Sequence, residues 1–565
     1  MDWTANYGGR DRGRVWASLI AFLFVGMADS PGATPAPSFD AYQPPQGYYS
    51  TVTPPHGMLE SILHLLIDAH TGTTEDQARA ALQVTDADPN NPGNMLLVYD
   101  RTSLNTGTIN PGGAIPGWDG GVSWNLEHTW PDSRGIGGTG PASSDLHHLR
   151  AANPAITSAR GNKNFGGVYG AQSYGAVTDG GVAMWYPGDA DAGMIARQEF
   201  YMATRYNGAD ANTLDLALLP GDPSDAQGLG NLTRMIEWHY HAVPDEFELR
   251  RNHIIYTDYQ GNRNPYIDNP EYVWSVFVDQ TNDSQLYVGV SPSVSGSSSA
   301  EVNLGRVIRN AAVPNPQSVT LRRNGNDGTY FRVTTSGSAT SSVVGKFNAF
   351  PINTTGSDAR SLSIGLSTST TEAGLKSGAV VIDNLDVTSE GGAGRGSNDA
   401  DDLINVSLSV LDSASPSFFA GSSGTSLILD FGTLTQGSST STLSFDIFNR
   451  AGALGDLWTA GLDLDGIVET DPGNVFSTSL LEFLNLVAGS SRSATVSMTT
   501  AALGSFSGSY RLNCSDEDLP GASTQSMSIA LMGNVVAVPE PSTSVMALAG
   551  LACGGYLVRR RRKRA

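Results

Sequence analysis

Cysteine is almost absent from this chain of 565 residues, which has only Cys514 and Cys553. A disulfide framework and a cysteine-based zinc site are therefore excluded from everything before Cys514. The sequence also has no His-Glu-x-x-His pattern, which argues against a zinc peptidase. Whatever chemistry the chain performs must use other residue types.

Positive charge is scarce as well. The sequence has 33 lysines and arginines against 55 aspartates and glutamates, for a net charge of −22. A protein that coats nucleic acid by bulk electrostatics uses a basic face, so that class is disfavoured. An enzyme that releases its product needs only a local cationic site, and the acidity is typical of a protein kept soluble outside the cell.

The N-terminal segment has the order of a secretory signal. Arg10, Arg12 and Arg14 precede an apolar run over 15–27, and small residues follow it. This pattern predicts a signal peptide over residues 1–30. The length of the remaining chain exceeds one hydrophobic core and predicts several domains.

The C-terminus carries Pro539-Glu540-Pro541, an apolar stretch to Val558 and an arginine cluster. These three features in this order resemble the PEP-CTERM sorting signal of Gram-negative bacteria, which an exosortase processes. The resemblance implies a sorting signal over 538–565 with a transmembrane helix, membrane contact before sorting, and export to the cell surface or extracellular matrix. A single-pass tail anchor is the alternative.

Composition changes near residue 285. Tryptophan, tyrosine and histidine are frequent before it, whereas short alternating runs of Ser, Thr, Gly and Val follow it. Alternation with period two bounded by turn residues predicts all-β sandwich domains.

This second half also repeats itself. Leu304-Gly305 has a counterpart in Phe431-Gly432, and further segments match at an offset of about 127 to 130 residues. We predict two Ig-like sandwiches, over 290–395 and 403–536, joined by a Gly- and Asp-rich linker. They are interpreted as spacer or adhesion domains with extracellular polysaccharide as a candidate ligand. Calcium binding by Asp399, Asp401 and Asp402 stays an open alternative.

One segment before the change gathers a base, a carboxylate, amides and cations. Residues 124–130 alternate apolar and polar and predict a strand, and a short strand over 146–149 follows a Gly-rich loop. A helix over about 155–164 completes a ββα unit. We expect this unit to place His128, at the end of the first strand, opposite Asn162 on the helix.

Three blocks of this segment resemble the bacterial endonuclease I family, whose core is a ββα-metal or His-Me finger. They are Glu127-His128-Thr129-Trp130-Pro131, Asp145-Leu146-His147-His148-Leu149-Arg150 and Ser158-Ala159-Arg160-Gly161-Asn162-Lys163-Asn164-Phe165-Gly166. Further blocks extend the resemblance over most of 45–285. An α+β nuclease domain is therefore expected there.

The resemblance implies that His128 is the general base, because a neutral imidazole takes a proton from water at physiological pH. It implies that Glu127 and Asn162 hold one Mg²⁺, or another divalent cation such as Mn²⁺ or Ca²⁺. Adjacent residues of a strand face opposite sides, so the metal must lie where the strand ends or twists.

Four cations of the segment are expected to act on the nucleic acid. Two are assigned to catalysis at the phosphate, Arg160 and Arg134, and two to substrate binding, Arg150 and Lys163. The order of importance among the arginines stays open. His147 and His148 are expected to be structural or to orient the site.

The chain departs from the family at Ala151, where many members have proline, and at Thr157-Ser158, where Asn-Ser is usual. Neither change touches the proposed base or metal ligands, so activity is expected to survive.

The leading hypothesis is an exported metal-dependent endonuclease that hydrolyses DNA, and RNA as an open alternative, with little sequence preference. The alternative is a surface or matrix adhesion protein with an inactive nuclease-like domain. Zinc binding by the histidines of the segment 238–241 is a weaker reading, since histidines two residues apart more often pack than bind metal.

Overall fold

The computed structural model describes residues 39–52, 58–170, 173–210, 214–224, 226–278, 282–291, 296–353, 355–385, 399–538 and 543–561. The expected signal peptide lies outside these residues, as does most of the expected linker.

The first part of the chain mixes helices and short strands. In chain order they are α1 (Leu59–Ile67), α2 (Glu75–Thr85), β1 (Asn94–Leu96), β2 (Ser103–Asn105), β3 (Asn125–His128), β4 (Leu149–Ala152), α3 (Pro154–Arg160), β5 (Gly175–Asp179), β6 (Val182–Tyr186), α4 (Asp189–Arg205), β7 (Ala217–Leu218), β8 (Gly228–Leu229), α5 (Leu232–His241), α6 (Glu246–Ile254), α7 (Pro265–Asp268) and α8 (Tyr272–Phe277).

Helix α4 is the centre of this part and is buried on almost every side. Aromatic side chains from α4, from β6 and from α5 form one core with Trp130 and Phe165. The core therefore reaches the ββα segment directly, and burial of these large rings fixes the segment against the rest of the domain.

Strands β3 and β4 pair in antiparallel fashion, with Glu127 opposite Arg150 and His128 opposite Leu149. Helix α3 begins after Asn153, whose side chain accepts a hydrogen bond from the backbone amide of Ala155 at 3.0 Å. The predicted ββα order is present, but its bounds differ. The second strand comes about three residues later than predicted, and the helix ends at Arg160, before Asn162.

Apart from a 3₁₀ turn at Asp456–Trp458, the described residues after 284 form β-strands and their connections up to the C-terminal helix. The strands are β9 (Gln285–Val288), β10 (Ser299–Ile308), β11 (Gln317–Asn324), β12 (Thr329–Gly337), β13 (Ala339–Ser341), β14 (Gly345–Phe350), β15 (Ser357–Leu366), β16 (Gly374–Asn384), β17 (Asp402–Leu411), β18 (Pro416–Ser417), β19 (Ser426–Thr435), β20 (Ser441–Asn449), β21 (Leu462–Thr470), β22 (Phe476–Thr478), β23 (Phe483–Leu486), β24 (Ser491–Met498), β25 (Gly504–Asp516) and β26 (Thr524–Val536).

These strands form two units, each with a five-stranded and a four-stranded sheet. The first unit has the orders β10-β17-β16-β12-β14 and β13-β15-β11-β9, and the second has β19-β26-β25-β21-β23 and β18-β20-β24-β22. In each unit the inner faces of both sheets supply one hydrophobic core. The prediction of a large all-β region is confirmed.

The two units share a detail at the repeated positions. In each five-stranded sheet, the strand that comes first in the chain, β10 or β19, pairs in parallel with the one that comes last, β17 or β26. A bulge interrupts this pairing near Gly305 or Gly432. Both glycines have a left-handed φ, 91° and 66°. In both turns the glycine amide donates to the side chain two residues earlier, Asn303 or Asp430, at 2.8 Å.

One predicted boundary is wrong. Strand β17 was expected in the second unit, yet it pairs with β10 and β16 of the first. The first unit therefore extends to Leu411. The error arose because composition changes at the Gly-rich segment before β17. Composition does not show which sheet that strand joins.

The nuclease-like part and the first β unit share a packed boundary. The hydroxyl of Tyr330 donates to the carbonyl of His239 at 2.7 Å, and its ring lies 5.3 Å from that of Tyr240. Lys346 reaches across to the Asn269 side chain at 2.9 Å. Because Tyr330 and Tyr240 belong to the same hydrophobic cluster, this boundary is part of the core.

The chain closes with α9 (Thr543–Arg561), a helix of 19 residues that contains three glycines and ends in three arginines. In the part of the chain that the structure describes, no helix is both long and apolar enough to cross a membrane. The expected transmembrane segment is therefore not supported.

Candidate active site

His128 stands at the last position of β3, and its side chain is 17 % exposed. Its Nε2 lies 2.9 Å from the carbonyl oxygen of Ser143. A carbonyl oxygen only accepts, so Nε2 carries the proton and Nδ1 keeps its lone pair. Among the described residues Nδ1 has no hydrogen bond, which leaves it free to take a proton from water.

Two buried histidines lie behind this ring. The His148 ring centre is 5.6 Å from that of His128, and its Nε2 bonds the carbonyl of Ala142 at 2.8 Å. Burial lowers the pKa of His148 to about 3 and that of His147 to about 4. Both therefore stay neutral, and His148 holds the orientation of His128 by packing.

Glu127 faces the opposite side of the strand and is 1 % exposed. Its Oε1 accepts from the Tyr99 hydroxyl at 2.9 Å and from Arg160 at 3.2 Å. Burial raises the pKa of Glu127, and Arg160, Thr157 and Tyr99 oppose that rise. As the alternation of a strand requires, Glu127 and His128 do not point into one common space along β3.

Arg160 is also buried, with 2 % exposure. Besides Glu127 it donates to the carbonyl oxygens of His128, at 2.7 Å, and of Thr129. Its guanidinium lies 4.6 Å from the centre of the Phe165 ring. This placement differs from the expected contact with phosphate, because Arg160 fastens the strand end that carries His128.

Asn162 lies in the turn after α3, beyond Gly161, and its residue is exposed. Its backbone carbonyl accepts from Arg134 Nε at 3.0 Å. Across the described chain no contact joins its side chain to Glu127, so the structure does not bring the two expected metal ligands together.

The remaining cations divide by exposure. Arg134 and Lys163 flank the turn at Asn162 and keep partial access to solvent. Arg150 is 0 % exposed and its Nε donates to Asp86 at 2.8 Å. A guanidinium held inside the protein by an ion pair cannot reach a polymer, so the expected substrate-binding role of Arg150 is corrected to a structural one.

Two residues near Glu127 were missed. Thr157 precedes Arg160 by three positions on α3, and its hydroxyl lowers the pKa of Glu127. The spacing of three, which puts both on one helix face, was the available signal. The departure from the family at Thr157 therefore lies near Glu127, one of the expected metal ligands.

The second missed residue is Glu199, a carboxylate in the apolar run of α4 with 0 % exposure. Burial raises its pKa to about 8, Thr129 and Arg160 lower it, and Glu127 raises it further. Neither carboxylate oxygen has a hydrogen bond of ordinary geometry. A charged residue inside an apolar helix face is the sequence signal that pointed to it.

Oxygen atoms of Glu127, Glu199 and Thr157 thus come near one another on the side of β3 opposite His128. Carboxylate and hydroxyl oxygens are ligands that a hard divalent cation prefers. The residues present fit such a cation, with carboxylate and hydroxyl ligands and no sulfur.

A free imidazole nitrogen at a strand end, with two partly exposed cations on neighbouring segments, is an arrangement that a phosphodiester hydrolase can use. Residues 58–271 match the endonuclease I family, and residues 537–563 match the PEP-CTERM protein-sorting motif. The chain belongs to the endonuclease I family and is a nuclease.

Its relatives include two extracellular ribonucleases. That of Bacillus amyloliquefaciens is 41 % identical over 231 residues, covering 40 % of this chain and 76 % of the relative. That of Bacillus subtilis is 40 % identical over 223 residues, covering 38 % and 72 %. Among solved structures, the adhesive subunit CfaE of an Escherichia coli fimbria covers 45 % of this chain and 87 % of its own, with 9 % identity and a TM-score of 0.20, too low to carry an argument.

Proposed function

We propose that the chain is an exported, divalent-metal-dependent endonuclease that hydrolyses DNA and RNA with His128 as general base. The observation that carries the proposal is the free Nδ1 of His128, since the Ser143 carbonyl fixes the proton on Nε2. Export is supported by the sorting motif at residues 537–563 and by the name of the two relatives.

In the proposed mechanism Nδ1 of His128 takes a proton from a water molecule, which attacks the scissile phosphorus. Arg134, in the segment after β3, and Lys163, in the turn after α3, hold the phosphate oxygens. Arg160 acts as a positioning residue, because it holds the carbonyl of His128 at 2.7 Å. A divalent cation such as Mg²⁺, held by Glu127 with Thr157 or Glu199, would supply charge stabilisation for the leaving oxygen.

The substrate class follows from what the site can read. A turn that grips phosphate through a guanidinium and an ammonium contacts the backbone and not base edges, so little sequence preference is expected. The relatives are named ribonucleases, which supports RNA. No residue described here reads a 2′-hydroxyl, so DNA is proposed alongside it, with 5′-phosphate ends.

The proposal is tested on the full chain, because Tyr330 makes the first β unit part of the nuclease core. Supercoiled plasmid and single-stranded RNA are incubated with the chain in Mg²⁺, and a parallel sample contains excess EDTA. We expect cleavage of both polymers with Mg²⁺ and loss of both with EDTA. Undiminished cleavage in EDTA would contradict metal dependence, and cleavage of one polymer alone would decide the substrate.

A second candidate function is adhesion by an inactive nuclease domain. One observation favours it: near Glu127, Thr157 stands where the family usually has an asparagine, whose amide could hold a metal. If the amide improves a metal site there, Thr157→Asn should raise hydrolysis about tenfold at limiting Mg²⁺, the scale of changes around metal ligands. The measurement is the Mg²⁺ dependence of the initial rate, with Ser158→Asn as control. No activity in either form, with or without metal, would favour the adhesion function.

A further inference from the structure

We propose that His64, Asp68 and Asp210 form a second metal site, for a divalent transition metal such as Zn²⁺, apart from the site at His128. The ligand atoms of these three side chains all lie within 4.8 Å of one another.

Two rigid elements build this cluster. His64 and Asp68 are four residues apart at the end of α1, so they share one face of the helix. Asp210 follows the C-terminal end of α4, the long central helix. A metal ion there would join the outer helix α1 to the core of the domain.

The hydrogen bonds of His64 are the independent observation. The residue is 2 % exposed, and its Nδ1 lies 3.0 Å from the carbonyl oxygen of Thr204. Because that oxygen only accepts, Nδ1 carries a proton, and Nε2 of the neutral ring presents a lone pair. A backbone carbonyl on one nitrogen is the arrangement that orients metal-binding histidines.

Nε2 of His64 faces another acceptor. It lies 3.2 Å from Oδ1 of Asp210. Two lone pairs at that distance repel unless a cation or a second ring proton lies between them. The buried imidazole of His64 thus faces the carboxylate of Asp210, and a positive charge between them would stabilise this arrangement.

Arg205 supplies only part of that charge. Its guanidinium lies 2.9 Å from Asp68 and 3.5 Å from Asp210. One arginine therefore faces both carboxylates of the cluster. A divalent ion would have one nitrogen and two oxygen ligands here, and the nitrogen favours Zn²⁺ over Mg²⁺ or Ca²⁺.

The spacing is close to that of a bound ion. Ligands about 2.0–2.2 Å from a tetrahedral zinc ion lie about 3.3–3.6 Å apart. The three ligand atoms, which lie within 4.8 Å of one another, would have to approach by side-chain rotation. The side chains of Asp68 and Asp210 are 36 % and 29 % exposed, so they can rotate and an ion can enter from solvent.

Zinc titration of the metal-stripped full chain tests the proposal, with Mg²⁺ in excess to occupy the hard oxygen site. We compare wild type, Asp210→Asn, Asp68→Asn and the control Asp215→Asn, an exposed aspartate of the same loop. Calorimetry should give one Zn²⁺ site that Asp210→Asn and Asp68→Asn weaken about 100-fold, while the control binds like wild type. The Tm should rise with Zn²⁺ in wild type and the control only.

The readouts are binding and Tm, so they do not depend on nuclease activity. Equal Zn²⁺ affinity in wild type and Asp210→Asn would place the ion elsewhere and overturn the proposal. No binding to wild type would also overturn it, and would assign the positive charge to a doubly protonated His64. Circular dichroism of each variant checks that the fold is retained.

Discussion

Replacing His128 with alanine is expected to lower kcat for nucleic-acid hydrolysis about 10³-fold, the effect of removing a general base. Binding of substrate should change little, because the proposed phosphate-holding cations Arg134 and Lys163 lie outside β3, in the segments after β3 and after α3. His128 contributes its side chain from the end of β3. The measurement is the rate of plasmid relaxation and RNA cleavage at saturating Mg²⁺ and substrate.

The matched control is His241→Ala, an exposed histidine at the end of α5 that stacks on Tyr169. It should hydrolyse both polymers within about twofold of the wild type, as expected for a surface substitution. A rate for His128→Ala close to that of the control would remove the imidazole from the mechanism. His148 lies behind the His128 ring but cannot replace it as the base, because burial lowers the pKa of His148 to about 3.

Asp86→Asn is expected to lower the free energy of unfolding of the nuclease domain by about 3–5 kcal/mol. Asp86 is 0 % exposed, and its two oxygens accept from Arg150 and from Arg251, each at 2.8 Å. Asparagine leaves two buried guanidinium groups without their shared carboxylate. Urea unfolding followed by tryptophan fluorescence measures the loss, because among the described tryptophans only Trp458 lies in the β units.

Asp76→Asn is the control, since Asp76 pairs with Arg79 at 2.7 Å but its side chain is 73 % exposed. An exposed pair contributes little, so this variant should lose no more than about 1 kcal/mol. Equal losses in the two variants would show that the ion pairs of Asp86 do not stabilise the domain.

The ion pairs of Asp86 with Arg150 and Arg251 also make the free energy of unfolding depend on pH, with a defined sign. Burial would raise the pKa of Asp86, but Arg150 and Arg251 outweigh it and lower the pKa. A carboxyl with a lowered pKa contributes stability above its unfolded pKa of about 3.9 and loses it as the pH falls through the folded value. The difference between wild type and Asp86→Asn should therefore shrink in acid.

Local patterns predicted local structure well. Alternation predicted β3, and the helix expected over about 155–164 begins as α3 at Pro154. The repeat at Gly305 and Gly432 corresponds to two related β units. Helix ends were predicted less accurately than strands. Asn162 was expected on α3, but this helix ends at Arg160.

The sequence could not show contacts between residues that are far apart along the chain. Asp86 meets Arg150 across 64 positions, and His64 meets Asp210 across 146. No periodicity encodes such pairs, so Arg150 looked like a free cation and was assigned to substrate. Glu199 was missed for the same reason, because it comes near Glu127 only in the folded chain.

The parallel pairing of the first and last long strands, β19 with β26, has a mechanical consequence. A chain held at its C-terminal end while its catalytic part is dragged by a polymer carries tension along these two strands in opposite directions. Parallel neighbours under such a load are sheared, so their hydrogen bonds share the force instead of unzipping one at a time. In the second β unit, the hydrogen bonds between β19 and β26 would together resist such a force.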